Sequence, residues 1–242
     1  MKKALNIVYF LLGCSLLVFL FFTSQKNRGN VLCKGIEISV NTQDDLHFVN
    51  AQVVQELLLE VQDSIVGKPH EDINIYLLEE FVTEHPNIEK AELYLALNGN
   101  LCVDVKQRKP IARVYDKKES YYLDSELEPM PLSDKYSARV LLVHCSELTI
   151  ERREIVRTIF ELIDKDAFLK AQITAIEFDE NDDIIMHPRM GAHKIIFGAA
   201  QGLLQKFENL KLFYRQGLEK VGWDRYSSIS LKFENQVVCT KR

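Results

Sequence analysis

The residues whose side chains could carry out chemistry are an adjacent histidine and cysteine and a run of carboxylates. His144 and Cys145 are the residue types of a base and its nucleophile, but neighbouring residues of a strand point to opposite faces, so they need other partners to act. The run Asp179–Asp183 contains the carboxylates that a calcium loop uses. An EF-hand needs Gly and Glu where this chain has Ile184 and Met190. We therefore interpret His144 and Cys145 as part of a strand edge, and Asp179–Asp183 as a solvated turn.

The remaining histidines and glycines also lack the spacing that a metal or a phosphate requires. His187 and His193 show no ligand spacing. Gly198 and Gly202 lie where a helix is predicted to begin, without the rest of a phosphate-binding loop. No serine lies in a nucleophile elbow. The sequence predicts a protein that is not an enzyme and that uses no metal or other cofactor.

Composition narrows the class of partner. The chain has 30 basic and 35 acidic residues in 242, a formal net charge of −5, and no basic block of the kind that binds nucleic acid. Five cysteines are widely spaced with no Cys-x-x-Cys pair, which excludes a zinc knuckle. Cys33, Cys102, Cys145 and Cys239 allow three pairings in an oxidising compartment. Buried free thiols are the favoured interpretation.

One stretch near the N-terminus, Ala4–Phe22, contains no charged residue. As a helix it would span roughly 28 Å, about the hydrocarbon thickness of a bilayer. A cleaved signal peptide has a shorter apolar region and a small-x-small site, which this stretch lacks. A lipoprotein signal would end at Cys14, whereas Leu16–Phe22 continues the apolar run. We therefore predict a retained, single transmembrane helix over residues 4–22.

The charges that flank this stretch leave its direction nearly undecided. Two lysines precede it, and Lys26 and Arg28 follow it, so the positive-inside rule gives almost a tie. Long domains that follow a first apolar segment are commonly exported. Residues 1–3 are therefore predicted to be a cytoplasmic tail, residues 23–32 a polar linker, and the remainder of the chain an exported region.

Residues 33–109 predict a compact α+β domain with the order β-α-α-β-β. Ile36, Ile38 and Val40 alternate with polar residues, which is typical of a strand. Apolar residues at helical spacing predict helices over 51–61 and 75–84.

A hairpin is predicted next, with its turn at Asn98–Asn100. A two-residue loop would place Leu95 opposite Cys102, whereas a three-residue loop keeps one face wholly apolar and is preferred. The preferred register gives the pairs Leu97–Leu101, Leu95–Val103 and Leu93–Val105.

Residues 110–242 predict a β-rich domain with two long helices, reached through a hinge at Lys109-Pro110. The helices are predicted over Thr149–Ile163, capped by Thr149, and over Ala199–Gly217, with Leu204 on its buried side. Alternating runs predict strands at Ile111–Tyr115, Tyr121–Leu123, Arg139–His144, Thr174–Phe178, Ile184–Met186, Lys194–Phe197, Ser228–Phe233 and Gln236–Thr240.

The order of these parts resembles the bacterial cell-division protein family FtsQ (DivIB). That family has a cytoplasmic tail, one anchor, a POTRA domain with the order β-α-α-β-β, and a β-rich domain. Segments similar to the family are Gln107–Ala112, Tyr121–Asp124, Met130–Ser133, Ile195–Gly198 and Ser230–Val238. The C-terminal run Asn235–Lys241 is similar to the Bacteroidetes branch. The tail is shorter here than is common in the family, which makes cytoplasmic contacts unimportant.

The resemblance implies a bitopic inner-membrane scaffold of the divisome, with its bulk in the periplasm at the division septum. Its implied partners are FtsB and FtsL-type division proteins, bound by strand addition at the C-terminal sheet edge, and other divisome components through the POTRA domain. The implied partner-binding residues are Ser230, Leu231, Lys232, Phe233, Asn235 and Val237.

Two of these residues carry sharper expectations. Lys232 is expected to pair with an acidic group of the partner. Phe233 is either an aromatic anchor or part of the sheet core, and the sequence leaves both open.

Two other classes of function compete with this prediction. POTRA units also occur in outer-membrane assembly and secretion proteins, which continue into a β-barrel. The two long amphipathic helices after Leu148 argue against such a barrel. A cell-wall hydrolase would need a metal or nucleophile set that the sequence lacks.

Overall fold

A computed structural model of the chain describes residues 12–19, 31–41, 45–233 and 236–242. Most of the predicted anchor Ala4–Phe22 and of the linker 23–32, and all of the tail 1–3, lie outside these residues; residues 12–19 are helical. Among the described residues, no helix combines the length and the hydropathy that crossing a membrane requires. The chain divides into two compact units, Met1–Arg108 and Lys109–Arg242.

The first unit contains the predicted β-α-α-β-β order. The elements are β1 (Ile36–Asn41), α1 (Ala51–Val61), a 3₁₀ turn (His70–Asp72), α2 (Ile75–Thr83), β2 (Ile88–Leu95) and β3 (Leu101–Gln107). Its three-stranded sheet has the order β1-β3-β2, with β1 parallel and β2 antiparallel to the central β3. Asn50 and Asn74 cap the two helices by accepting backbone N–H bonds, which satisfies donors that a helix start leaves free.

The predicted hairpin register is wrong by two residues. The observed pairs are Leu95–Leu101, Leu93–Val103 and Ala91–Val105. The connecting loop is longer, because Ala96 both donates to the Asn100 carbonyl at 2.9 Å and accepts from the Gly99 amide at 3.0 Å. Gly99 has a φ of 96°, which favours glycine, and Leu97 is left fully exposed at the tip. A shift of two residues keeps every side chain on its face, so apolar alternation cannot distinguish the two registers.

Gln107, at the end of β3, has a structural role in the first unit. Its side chain is buried; it accepts the Val49 amide at 2.8 Å and donates to the carbonyls of Asn41 and Leu46 at 3.2 and 3.1 Å. These bonds hold the ends of the segment between β1 and α1 against β3. A buried amide with all of these partners explains why a polar residue is placed here.

The second unit is built on a mixed, nine-stranded sheet. The strands are β4 (Pro110–Tyr115), β5 (Ser120–Asp124), β6 (Pro129–Met130), β7 (Leu141–His144), β8 (Ile173–Phe178), β9 (Ile184–Pro188), β10 (Lys194–Gly198), β11 (Tyr226–Ser230) and β12 (Val238–Lys241). Their order in the sheet is β6-β5-β4-β7-β8-β9-β10-β11-β12. The pairs β4-β7, β7-β8 and β10-β11 are parallel, and the remaining pairs are antiparallel.

Helices make two of the parallel crossovers, as such connections require. The chain passes from β7 to β8 through α3 (Ile150–Asp164), capped by Thr149 as predicted, and the shorter α4 (Ala167–Gln172), which was not predicted. It passes from β10 to β11 through α5 (Leu203–Phe213) and one π-helical turn (Tyr214–Leu218).

The predicted helix Ala199–Gly217 begins later, because Gly202 has a φ of 62° and directly precedes the helix. Leu204, predicted to be buried, is exposed. The buried side of α5 instead packs Phe207 on Phe197 of β10, with ring centroids 4.8 Å apart. This packing anchors the crossover on the part of the sheet that carries the last two strands.

Candidate protein interaction site

The two C-terminal strands lie at one end of the nine-stranded sheet. Strand β11 is parallel to β10 on one side and antiparallel to β12 on the other. In the described part of the chain, β12 has a neighbouring strand on one side only, and the sheet ends there. A sheet edge presents backbone N–H and C=O groups that a further strand can complete.

The direction of each backbone group in this corner follows from the hydrogen bonds of β11. The Leu231 amide donates to the Ile196 carbonyl of β10 at 2.8 Å. Because successive residues of a strand point their backbone groups to alternate sides, Ser230 faces β12, where it pairs with Val238. The backbone groups of Val238 therefore face inward, toward β11.

A hydrogen bond at the other end of β12 leads to the same assignment of inward-facing and outward-facing residues. The Arg242 amide donates to the Arg225 carbonyl at 3.2 Å, so it too faces β11. Alternation then places the backbone groups of Thr240 inward, together with those of Arg242. The carbonyls of Thr240 and Lys241 accept from the Ser227 hydroxyl of β11 at 3.2 and 3.4 Å. The backbone groups of Cys239 face the open side of β12, and an added strand would use them.

The predicted partner-binding residues fall into distinct environments. Leu231 is a core residue, only 2% exposed, and Val237 packs half-buried against the same core. Ser230 is half-buried at the end of β11. Phe233 is 52% exposed. Asn235 lies outside the described residues.

The sequence left two roles open for Phe233, an aromatic anchor or a part of the sheet core, and its exposure distinguishes them. A ring with half of its surface in solvent is not part of the sheet core, and that position is taken by Leu231. The predicted strand Ser228–Phe233 in fact ends at Ser230, so Phe233 lies beyond the ladder. An exposed aromatic side chain beside a sheet edge has the character of an interface anchor.

Lys232 forms an ion pair within the chain itself. Its ammonium contacts the Asp183 carboxylate, which raises the pKa of Lys232. Asp183 belongs to the acidic run, where the Asp179 carboxylate accepts the Asn181 and Asp183 amides at 2.8 and 2.9 Å. The run is therefore a hydrogen-bonded turn that carries one of the partners of Lys232. An acidic group of a bound protein would have to compete with Asp183.

A groove next to β12 was not predicted from the sequence. It has a volume of about 320 Å³ and lies between α5 and the segment that leads into β12. Leu212, which falls off the buried stripe of α5, is an exposed apolar residue at its wall. The lining residues are Asn209, Leu212, Phe213, Gln216, Gly217, Gln236 and Val237. The sequence signal that could have indicated this groove is Leu212, a leucine on the polar side of a predicted helix.

Residues 109–240, which form the unit with this edge, match the family model described as FtsQ/DivIB, C-terminal related. The chain belongs to the FtsQ/DivIB family. Residues 31–106 match the model described as a POTRA-like domain. No curated protein matches the chain. Membership of FtsQ/DivIB indicates a cell-division role in a membrane protein of the division site, and both kinds of domain are non-catalytic scaffolds.

The residues that could carry out chemistry by their type are engaged in packing and hydrogen bonds within this FtsQ/DivIB unit. The His144 ring stacks on Tyr115 with centroids 5.0 Å apart. Burial raises the pKa of the adjacent Cys145 thiol, which is the opposite of what a thiolate nucleophile needs. His187 lies 3.2 Å from a Glu177 carboxylate oxygen. Across the described ranges, no three metal-ligating side chains come together.

His193 connects the C-terminal end of the FtsQ/DivIB unit to its π-helical turn. Its buried ring hydrogen-bonds the Tyr214 hydroxyl at 2.9 Å. Next to it, the Arg242 guanidinium donates to the Ala192 carbonyl at 2.9 Å. Burial, and secondarily the charge of Arg242, lower the pKa of His193, with the Trp223 carbonyl and Asp224 acting in the opposite direction. The ring is therefore neutral in the folded chain at neutral pH.

Acidification is expected to destabilise the second unit through His193. The folded pKa lies below the ordinary 6.5, so the unfolded chain binds more protons and the free energy of unfolding falls as the pH drops below about 6.5. In His193→Gln this contribution is absent, so its stability falls less between pH 7 and pH 5. Denaturation followed by Trp223, the single tryptophan of the chain, measures it. The difference between pH 8 and pH 7 is the control, and equal slopes below pH 6.5 would contradict the assignment.

Proposed function

We propose that this chain is a bitopic inner-membrane scaffold of the division machinery. It recruits septal cell-wall synthesis partners, and the binding step is addition of a partner strand to β12. The observation that carries this proposal is the position of β12 at the end of the sheet, with the backbone groups of Cys239 facing the open side. Family membership supports the division role.

The partner that fits this edge is an extended segment of an FtsB-type protein, acting together with an FtsL-type protein. Its backbone would pair with β12, and its side chains would reach the features on either side of the strand. Phe233 supplies an exposed aromatic ring. The groove at Leu212 supplies an apolar recess for a second part of the same partner. Lys232 would exchange Asp183 for an acidic partner residue.

The remaining parts of the chain are assigned by the same proposal. Ala4–Phe22 is the membrane helix, with residues 1–3 in the cytoplasm and the rest of the chain in the periplasm. The POTRA domain spans 33–109 and the β domain 110–242. The POTRA domain is a second binding surface, for other divisome components.

A short C-terminal deletion tests the proposal in the full chain. Ending the chain at residue 235 removes β12, whereas ending it after Arg225 would also remove Ile229 and Leu231, which are core residues. We expect pull-down of an FtsB-type partner with the full chain and not with the chain that ends at 235. Near-ultraviolet circular dichroism checks that the shortened protein stays folded. Equal recovery of the partner by both chains would overturn strand addition.

A depletion experiment separates the proposed function from its alternative. Loss of a divisome scaffold gives filamentous cells, which the full chain restores and the chain ending at residue 235 does not. Outer-membrane defects without filaments would instead indicate a POTRA-containing assembly or secretion component. Restoration by both chains would place the essential contact outside β12.

A further inference from the structure

Exposed apolar side chains lie at the end of the first unit where the N-terminal segment enters it. The proposed partner binding at β12 does not involve them. Val31, Leu32, Val66 and Leu97 are all exposed large hydrophobic residues. They come from three separate segments of the chain: the residues before β1, the loop between the two helices, and the tip of the β2-β3 hairpin. Exposed apolar side chains that are grouped together mark a surface that contacts something other than water.

Backbone hydrogen bonds hold these three segments together. The Cys33 amide donates to the Lys68 carbonyl at 2.9 Å, and the Gly67 amide donates back to the Cys33 carbonyl at 2.7 Å. The Lys34 amide donates to the Gly99 carbonyl at 2.9 Å. Val66 and Leu97 therefore lie at the same end of the unit as the incoming chain. We call this surface, made of Val31, Leu32, Val66 and Leu97, the proximal patch.

The chain leaves the unit at the opposite end. Strand β3 begins at Leu101, next to the hairpin tip, and ends at Gln107. At about 3.3 Å per residue, this strand separates the two ends by roughly 20 Å. The proximal patch lies at the end that is connected directly to the N-terminal segment.

The tether to the predicted anchor is short. Nine residue steps join Phe22 to Val31, and at most about 3.6 Å per step they reach no more than roughly 32 Å in any conformation. If Ala4–Phe22 spans the membrane, as the proposed function holds, the proximal patch is confined to the neighbourhood of that bilayer. The inference below rests on this part of the proposed function.

The charged residues around the proximal patch are of both signs. Lys34 and Lys68 belong to the segments that form it. Glu37 accepts from the Asn100 side-chain amide beside the hairpin tip. Asp63, Glu71 and Asp72 are exposed in the segment that carries Lys68, so the charges do not select an anionic surface.

We propose that the proximal patch docks on the outer face of the anchoring membrane. Val66 and Leu97 enter the boundary between headgroups and acyl chains, while Lys34 and Lys68 lie at the level of the headgroup phosphates. Docking orients the first unit with its Gln107 end away from the bilayer. The anchor then sets the direction of the POTRA domain as well as tethering it.

Tryptophan quenching in vesicles tests this docking with the full chain. The protein is reconstituted into vesicles of phosphatidylethanolamine and phosphatidylglycerol at 3:1 with brominated acyl chains, which quench tryptophan at the bilayer. Leu97→Trp places a probe in the patch, and Glu84→Trp places a matched probe in an exposed position near the Gln107 end. Trp223 gives the same background in both proteins.

We expect the added emission of Leu97→Trp to be quenched at least about twofold more than that of Glu84→Trp. Equal quenching of the two probes would overturn the proposal. A blue shift of Leu97→Trp without quenching would indicate burial against protein, such as a second copy, and would also overturn it. If none of the proteins floats with the vesicles, the anchor itself is wrong, which separates failure of the proposed function from failure of docking alone.

Discussion

Cys239→Pro is expected to weaken binding of an FtsB-type partner by about tenfold or more, whereas Cys239→Ala leaves binding within about twofold. The amide of Cys239 faces the open side of β12, so proline removes a donor that an added strand would use. The proline ring also occupies the space into which that strand must come. The alanine variant removes the thiol but keeps the amide, so it isolates the backbone contribution.

A second proline variant provides the structural control. The amide of Thr240 faces β11, so Thr240→Pro breaks the ladder that holds β12 in the sheet and lowers the melting temperature. Cys239→Pro leaves that ladder intact, because proline is tolerated on an edge strand when its nitrogen faces outward. Calorimetric titration of the full-length variants measures the dissociation constants, and thermal denaturation measures the folding. Unchanged binding by Cys239→Pro would show that the partner does not add a strand here.

Local sequence patterns were sufficient wherever a single element determines its own bounds. Helix α1 begins after Asn50, which caps it, and its apolar stripe continues to Val61, so the predicted and observed helices are the same. Thr149 similarly sets the start of α3. Such signals act within one turn of the chain, which is why they can be read without tertiary information.

The prediction failed where distant parts of the chain decide the outcome. The alternation through Leu231 and Phe233 continued the predicted strand, but the ladder ends at Ser230, so these two residues are no longer equivalent. Lys232 finds its counter-ion in Asp183, 49 residues away. No local pattern encodes that pairing, because it depends on how the β8-β9 turn and the end of β11 come together in the sheet.

The sequence could propose the candidate site only as a region. The resemblance to the FtsQ/DivIB family proposed the C-terminal strands as the recognition region. It could not show that Leu212 and a groove lie beside them, since α5 and the chain before β12 are far apart in sequence. Nor could it assign the backbone groups of Cys239 to the open side, because that depends on how β11 and β12 pair.

Alanine variants of Leu231 and Phe233 are expected to separate folding from recognition. Leu231 is 2% exposed within the core, so Leu231→Ala should lower the free energy of unfolding by about 2–5 kcal/mol. Phe233 is 52% exposed, so Phe233→Ala should change stability by no more than about 0.5 kcal/mol. If Phe233 is the aromatic anchor, the same substitution raises the dissociation constant of an FtsB-type partner by about 30-fold, or 2 kcal/mol.

Denaturation followed by Trp223 emission reports on the second unit, in which both residues lie, and titration with the partner is done on the same samples. Phe233→Leu is the matched control: it keeps an apolar side chain but loses the ring, so it should recover part of the affinity without changing stability. A Phe233→Ala protein that is folded and binds normally would remove Phe233 from the interface. A Leu231→Ala protein that is as stable as the parent would contradict the core position, because a cavity at the junction of β10 and β11 must cost packing energy.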